Sequence, residues 1–324
     1  MSKLFKTKRN KDEVIETPAR MLINRFLGNK LAVFGLVLFI VIALVVLGVW
    51  LYVNLTGYKL AAMDHSIKYQ APSLQHWFGT DESGRDMFIR VILGGTVSLQ
   101  VGFLTTLVTV AVGIILGGIA GYYGGKIDSL IMRFGEIISS FPFLPIAITI
   151  SVIMQTSPAK VKLFTMMTIL GLLGWTGLGR MVRGQILSLR KREFMVATKA
   201  LGIKTSKQIF RHLMPNVFTF VIVSATNNFA GAILTEATLS FLGLSVAEPI
   251  PTWGGLISNA STGVTFRYYW WLWVFPGIML LLLILSINLI GEGLRDAVDP
   301  KSNVEYIKKK RKFSLFKKKT SQSA

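Results

Sequence analysis

Residues 193–216 read EFMVATKALGIKTSKQIFRHLMPN, a polar and basic island between two apolar stretches. Two short helical patterns meet in it at Gly202. Phe194, Ala197, Ala200 and Leu201 recur at helical spacing in the first, and Ile209, Phe210 and Leu213 in the second, so each carries one apolar stripe. Thr205 followed by Gln208 fits an N-cap and capping box for the second helix. Gly202 suits the turn between them, because glycine takes left-handed backbone angles at little cost. Pro215 lacks an amide hydrogen and is expected to end the pattern before the next span. An amphipathic pair of this kind either rests on a membrane surface or docks in a groove of a partner.

Outward from the island the chain is apolar. Hydrophobic residues make up 52% of it and charged ones 16%, with a mean hydropathy of +0.54. That balance belongs to polytopic membrane proteins. The net charge of +20 sits mainly in the two tails and the island, so it reads as membrane topology and not as nucleic-acid binding. There is no cysteine, which excludes disulfides, thiolate metal sites and cysteine nucleophiles.

Downstream, residues 217 to about 235 form an expected helix 5 carrying Asn227 and Asn228. Upstream, residues 163–179 form a glycine-rich helix 4, and Lys160 and Lys162 mark a short outer loop before it. Residues 137–156 form helix 3, where Pro142 and Pro145 predict a kink or break. Lys126–Arg133 reads as a basic turn, preceded by the uncharged stretch 91–125. Within that stretch Gly113, Gly117, Gly121 and Gly125 recur every fourth residue, a flat face for close helix packing inside the chain or against another subunit. Gly125-Lys126 does not complete a phosphate-binding loop, since Ala120 and Ile127 break the pattern. Residues 31–53 form helix 1, uncharged and long enough to cross hydrocarbon, and 54–93 an outer loop in which His65 and His76 read as exposed. Tyr268, Tyr269, Trp270, Trp271 and Trp273 form an interfacial belt at the start of helix 6, which runs to about Leu289 with Asn288 near its end.

Lysine and arginine number eight in residues 1–30, two in 126–133, nine in 180–216 and ten in the last thirty residues, against four, two and one in the alternate segments. The positive-inside rule then gives six spans with both termini and the 193–216 island cytoplasmic. The polybasic tail, residues 291–324, can also bind anionic lipid. The expected fold is an all-α polytopic membrane protein. No expected span carries an ionisable residue near its middle, with Arg133, Glu136 and Glu236 at or near span ends, which disfavours an ion-coupled carrier. With no nucleotide motif, cofactor motif or metal constellation, the chain reads as a conduit powered from outside itself. Candidate pathway residues are neutral and polar: Gln100, Asn227 and Asn228 first, with Ser98, Thr105, Thr109 and Asn288 beside them.

The island resembles the cytoplasmic coupling loop of ATP-binding-cassette importer permeases, whose pattern is Glu-Ala-Ala, three residues, Gly, nine residues, then Ile-x-Leu-Pro. Val196, Ala197, Thr198, Gly202, His212, Met214 and Pro215 stand at those positions, with Ala197, Gly202 and Pro215 matching. FGTDESGRDMFIRVILGGTVSL (78–99), EATLSFLGLSVAEPIPTWGGLI (236–257) and FPGIMLLLLILSINLIGEGLRDAVDP (275–300) resemble the C-type permease subunit of oligopeptide and dipeptide importers. The resemblance implies a type I importer permease core over about 94–290 with helix 1 wrapped outside, in the bacterial plasma membrane. It implies as partners a homologous permease, two cytoplasmic ATPase subunits and an extracytoplasmic solute-binding protein. It also implies a coupling role for Ala197, Thr198, Ala200, Leu201, Gly202, His212 and Pro215. Peptides are the expected cargo, with nickel or another small solute as the alternative.

Overall fold

Asn29 opens the first long helix: its side chain accepts hydrogen bonds from the amides of Leu31 and Ala32 at 3.1 and 3.2 Å, meeting two of the donors a helix start leaves unpaired. The computed structural model describes residues 18–60, 62–244 and 249–298. A short helix α1 (Pro18–Gly28) precedes α2 (Lys30–Thr56), and Gly57 closes α2 with φ at 65°. Helix α3 (Met87–Tyr123) follows, then α4 (Gly125–Ser140), α5 (Phe143–Ile153) and α6 (Ala159–Leu189). The island folds as α7 (Glu193–Ala200), a single turn α8 (Thr205–Lys207) and a π-helical turn (Gln208–Leu213) that runs into α9 (Met214–Phe241). Two short helices, α10 (Trp253–Asn259) and α11 (Gly263–Tyr268), lead to α12 (Trp271–Val298).

Among the described residues five helices are long and apolar enough to cross a membrane: α2, α3, α6, the continuous 205–241 helix and α12. The pair α4–α5, bent by 75° at its break, makes a sixth crossing if counted as one span. At 37 residues α3 is about 55 Å long, well beyond the ~30 Å of bilayer hydrocarbon, so it projects from the membrane.

The glycine row on α3 packs inside the chain. A Cβ on Gly113 would meet Leu178, one on Gly117 the backbone of Gly179, and one on Gly121 the backbone of Arg183, all on α6. Gly125 lies outside this contact, starting α4 at φ 57°. Helix α2 packs against α12, with Gly35 against Leu289 and Ser286, and Ala32 against Gly293. A shared core of Ile42, Val46, Ile92, Ile233, Trp253, Leu283 and Ile287 joins α2, α3, α9, α10 and α12.

Several boundaries differ from those expected. Residues 18–28 of the N-terminal tail are helical and held to the end of α12, where Arg25 Nη1 donates to the Ala297 carbonyl at 3.1 Å. Helix α12 continues nine residues past Leu289, to Val298, where Asn29 Nδ2 donates to Asp296 Oδ2 at 3.2 Å. The outer loop ends at Asp86, which caps α3 by accepting from the Ile89 amide, so Arg90 lies inside the helix. The turn assigned to 126–133 is the first half of α4, its charges being one face of an amphipathic helix. Pro142 stands at the break between α4 and α5, as its missing amide requires. Lys160 and Lys162 belong to α6, which runs to Leu189. Pro215 ends nothing: it occupies the first turn of α9 just after the π-turn, where a missing amide hydrogen costs little. The remaining tail residues, 1–17 and those beyond Val298, lie outside the described residues.

At the end of the bundle opposite the island, loop 57–86 is bolted down. Asp81 accepts from Arg85 Nε at 2.6 Å and lies 3.5 Å from Arg90 Nε, all three side chains buried. Trp271 is buried and donates from its indole to the Thr80 carbonyl at 3.2 Å, so it is a plug for this loop and not part of an interfacial belt. Trp253 donates likewise to the Val91 carbonyl at 2.7 Å. His76 is tied to Asp86, Nδ1 to Oδ2 at 2.8 Å.

Candidate functional site

Two regions carry the residues singled out in the sequence. The first is a cavity of about 380 Å³ between α3, the α4–α5 elbow, α6 and α9. Its polar lining comes from Thr105 and Thr109 on α3, Ser139 on α4, and Asn227, Asn228 and Thr235 on α9. Phe141, Phe143 and Ile146 form an apolar wall where the elbow bends. Thr105 and Thr109 also donate to the Met167 and Gly171 carbonyls of α6, at 3.3 and 3.2 Å, so their hydroxyls are partly spoken for. The cavity lining holds no charged side chain and sets hydrogen-bonding groups on apolar walls.

Gln100 is not in this cavity. It is exposed, five residues before Thr105 and so about 140° round the helix from it. Asn288 is exposed on α12, in a separate shallow groove. Ser98 is fully buried, and its hydroxyl faces Glu236 Oε2 at 3.4 Å. Glu236 was expected near a span end, yet α9 continues to Phe241 and places the carboxylate inside, where Ser240 Oγ also donates to it at 2.5 Å. Sequence reasoning missed this buried acid because the span was ended too early.

The second region is the island itself, and it has two faces. Met195 and Leu213 are fully buried in a core with Val182 and Ile186 of α6 and Val217 and Val221 of α9. Thr198 and Gln208 are buried with them. On the opposite face Phe194, Val196, Leu201 and Phe210 are exposed, Leu201 at 77% and Phe210 at 73%. Ala197, Ala200 and Pro215 are exposed beside them, and His212 is half-buried. The stripe 194–197–200–201 therefore points away from the chain.

Between α7 and α8, Gly202 sits at φ 66° with open space where a Cβ would be. Its requirement is conformational, since an L-residue pays about 1 kcal/mol or more for left-handed angles. The expected capping box is absent. Lys204 is the N-cap of α8 without a side-chain bond, and Gln208 turns inward, donating from Nε2 to the Ile203 carbonyl at 2.6 Å. The π-turn also redirects the second stripe: Leu213 is buried, whereas Phe210 is exposed.

Arginines fasten this end of the bundle. Arg190 Nη1 donates to the Tyr122 carbonyl at 2.6 Å, and Arg183 forms a two-point pair with Asp128 of α4, Nε to Oδ1 at 2.6 Å and Nη2 to Oδ2 at 2.5 Å. Among the described residues no group of three histidine, aspartate or glutamate side chains is placed to hold a metal.

Comparison with known proteins adds the family. A model of the binding-protein-dependent transport system inner membrane component matches residues 113–304, more than half of the chain, and the N-terminal TM domain of oligopeptide transport permease C matches residues 17–72. The chain is 40% identical over 285 residues to the dipeptide transport system permease protein DppC of Alkalihalophilus pseudofirmus, covering 88% of this chain and 90% of that protein. It is 39% identical over 280 residues to the oligopeptide transport system permease protein OppC of Haemophilus influenzae, covering 86% of each. Against OppC of Bacillus subtilis it is 35% identical over 277 residues, 86% of this chain and 88% of the other.

Proposed function

The chain belongs to the binding-protein-dependent transport system inner membrane component family, and from that premise we propose that it is the membrane-spanning subunit of an ATP-driven importer of short peptides. The names of its relatives and the neutral, open-sided cavity support peptide as cargo, since a path that must take many side chains gains nothing from fixed charges. A second, homologous permease completes the path across the open side of the cavity. Two ATPase subunits in the cytoplasm hydrolyse ATP, a solute-binding protein delivers cargo outside, and lipid surrounds the bundle.

The single observation that carries the coupling reading is the two-faced island. Its buried face anchors it to α6 and α9, and its exposed face presents Phe194, Val196, Leu201 and Phe210 to a partner. Large apolar side chains held outward on a rigid mount fit a groove in another protein. With the exposed Ala197, Ala200, Gly202 and Pro215 they form the surface on which an ATPase pushes, while the buried Thr198 and half-buried His212 support it from beneath. ATP binding biases the helices between outward- and inward-open states by favouring one of them.

The test is uptake of labelled short peptides by cells with and without this subunit, with labelled nickel in parallel. Loss of peptide uptake alone, restored by the intact gene, is the expected result. Loss of nickel uptake alone would keep the architecture and change the cargo, and unchanged uptake of both would defeat the cargo assignment.

A further inference from the structure

Gln208 is an amide buried to 4% exposure in a π-turn whose Arg211 is exposed and whose His212 is half-buried. Both of its ends are used. The Ile203 carbonyl can only accept, so the amide nitrogen faces it at 2.6 Å, which leaves Oε1 to accept from the Tyr122 hydroxyl at 3.0 Å. Ile203 directly follows the Gly202 turn, and Tyr122 is the penultimate residue of α3. One side chain thus ties the turn of the island to the end of α3.

The π-turn makes this tie possible. In an α-helix residues five apart lie on different faces, whereas a π-turn closes i to i+5 and brings them to the same side. Gln208 and Leu213 are five apart and both buried, and Leu213 continues into the four-residue spacing of Val217 and Val221. Regular α-helix through 205–241 would turn Gln208 away from Tyr122. The apolar anchoring runs mainly to α6 and α9 and also touches Val110, Ile114 and Tyr122 of α3, and the hydroxyl of Tyr122 adds a polar bond at the same place.

We propose that the Tyr122–Gln208–Ile203 relay transmits movement of the island to α3, making Gln208 and Tyr122 positioning residues for transport, and that the π-turn sets their register. This rests on the coupling role of the island given above. Helix α3 supplies Thr105 and Thr109 to the cavity, so a shift of its end reaches the path directly. Apolar packing is non-directional, whereas the relay is a polar, directional contact between the island and α3.

The experiment uses the complete importer in liposomes, with a labelled tripeptide as probe and ATP hydrolysis measured in parallel. Tyr122→Phe and Gln208→Leu are compared singly and together. Each single variant is expected to retain its ATPase subunits and hydrolyse ATP, while peptide moved per ATP falls about five-fold, the scale of one lost hydrogen bond. The double variant falls no further, because both remove the same contact. Unchanged peptide per ATP in Tyr122→Phe overturns the relay, as do losses that multiply in the double variant, or ATPase subunits lost from both single variants. Absence of ATP-driven uptake in the unaltered complex would instead defeat the transport reading itself.

Discussion

Gly117 on α3 and Gly179 on α6 meet backbone to backbone: a Cβ at Gly117 would collide with the Gly179 carbonyl. The two helices share this close approach with Gly113 and Gly121 one turn to either side, where neighbouring atoms of α6 also leave no room. Gly117→Ala forces the helices apart, and the expected outcome is loss of about 1–3 kcal/mol or more, of the order of overpacking a dense core. Gly184→Ala on α6 meets nothing and is expected to leave folding unchanged. The yield of monodisperse protein after detergent extraction checks the pair.

Exposed and buried residues of the island separate docking from folding. Phe210→Asp and Leu201→Asp remove exposed apolar surface that, on the docking reading, a partner covers. At about 1.5–3 kcal/mol for a buried Leu or Phe, each should weaken retention of the ATPase subunits ten-fold or more, with the permease still inserted. Met195→Asp puts a charge into the core beneath and should prevent accumulation of the chain. Co-purification of the ATPase subunits, scored against total permease, reads both.

Filling the cavity tests the path. Gly231 lines it and a Cβ there meets nothing within 4 Å, so the side chain of Gly231→Phe starts in open space and narrows the cavity. Peptide uptake should fall at least ten-fold while ATPase retention stays normal. Equal uptake by this variant in the labelled-peptide assay would place the path elsewhere.

Asp81 is one of the groups that hold the outer cap. Asp81→Asn leaves Arg85 and Arg90 buried beside a neutral partner, and breaking a buried ion pair typically costs about 3–5 kcal/mol. A fall in melting temperature of the purified complex checks this, and Glu82→Gln next to it, on the exposed side, serves as the control.

Long apolar runs made five spans legible, because a helix that must hide its backbone from lipid leaves an unmistakable uncharged stretch. The α4–α5 elbow was harder to read. Lys126, Asp128, Arg133 and Glu136 look like a loop when read for charge, yet the exposed row Ile127, Leu130, Phe134 and Ile137 has helical spacing. In the island the helix–turn–helix shape followed from Gly202, but which residues face inward did not. The stripe Phe194–Ala197–Leu201 was read as facing a membrane surface or a partner, and it is exposed, while Met195 and Thr198 between its members are the residues buried against the chain. The π-turn defeats α-periodicity between Gln208 and Leu213, so Pro215 was mistaken for a stop and Gln208 for a capping residue. Pairings over long sequence distances, such as Tyr122 with Gln208 or Arg183 with Asp128, leave no periodic trace.

Helix α3 has no break between Met87 and Tyr123, and both of its ends are fastened, by Arg90 and the Val91 carbonyl at one and by Tyr122 at the other. A rod so held cannot absorb a displacement along its length. Whatever moves one end is felt at the other, and linkage makes that communication symmetrical. On the coupling proposed above, a loaded receptor outside and a nucleotide inside are then expected to alter one another's affinity by the same factor, so that energy is committed when cargo is present and conserved when it is not.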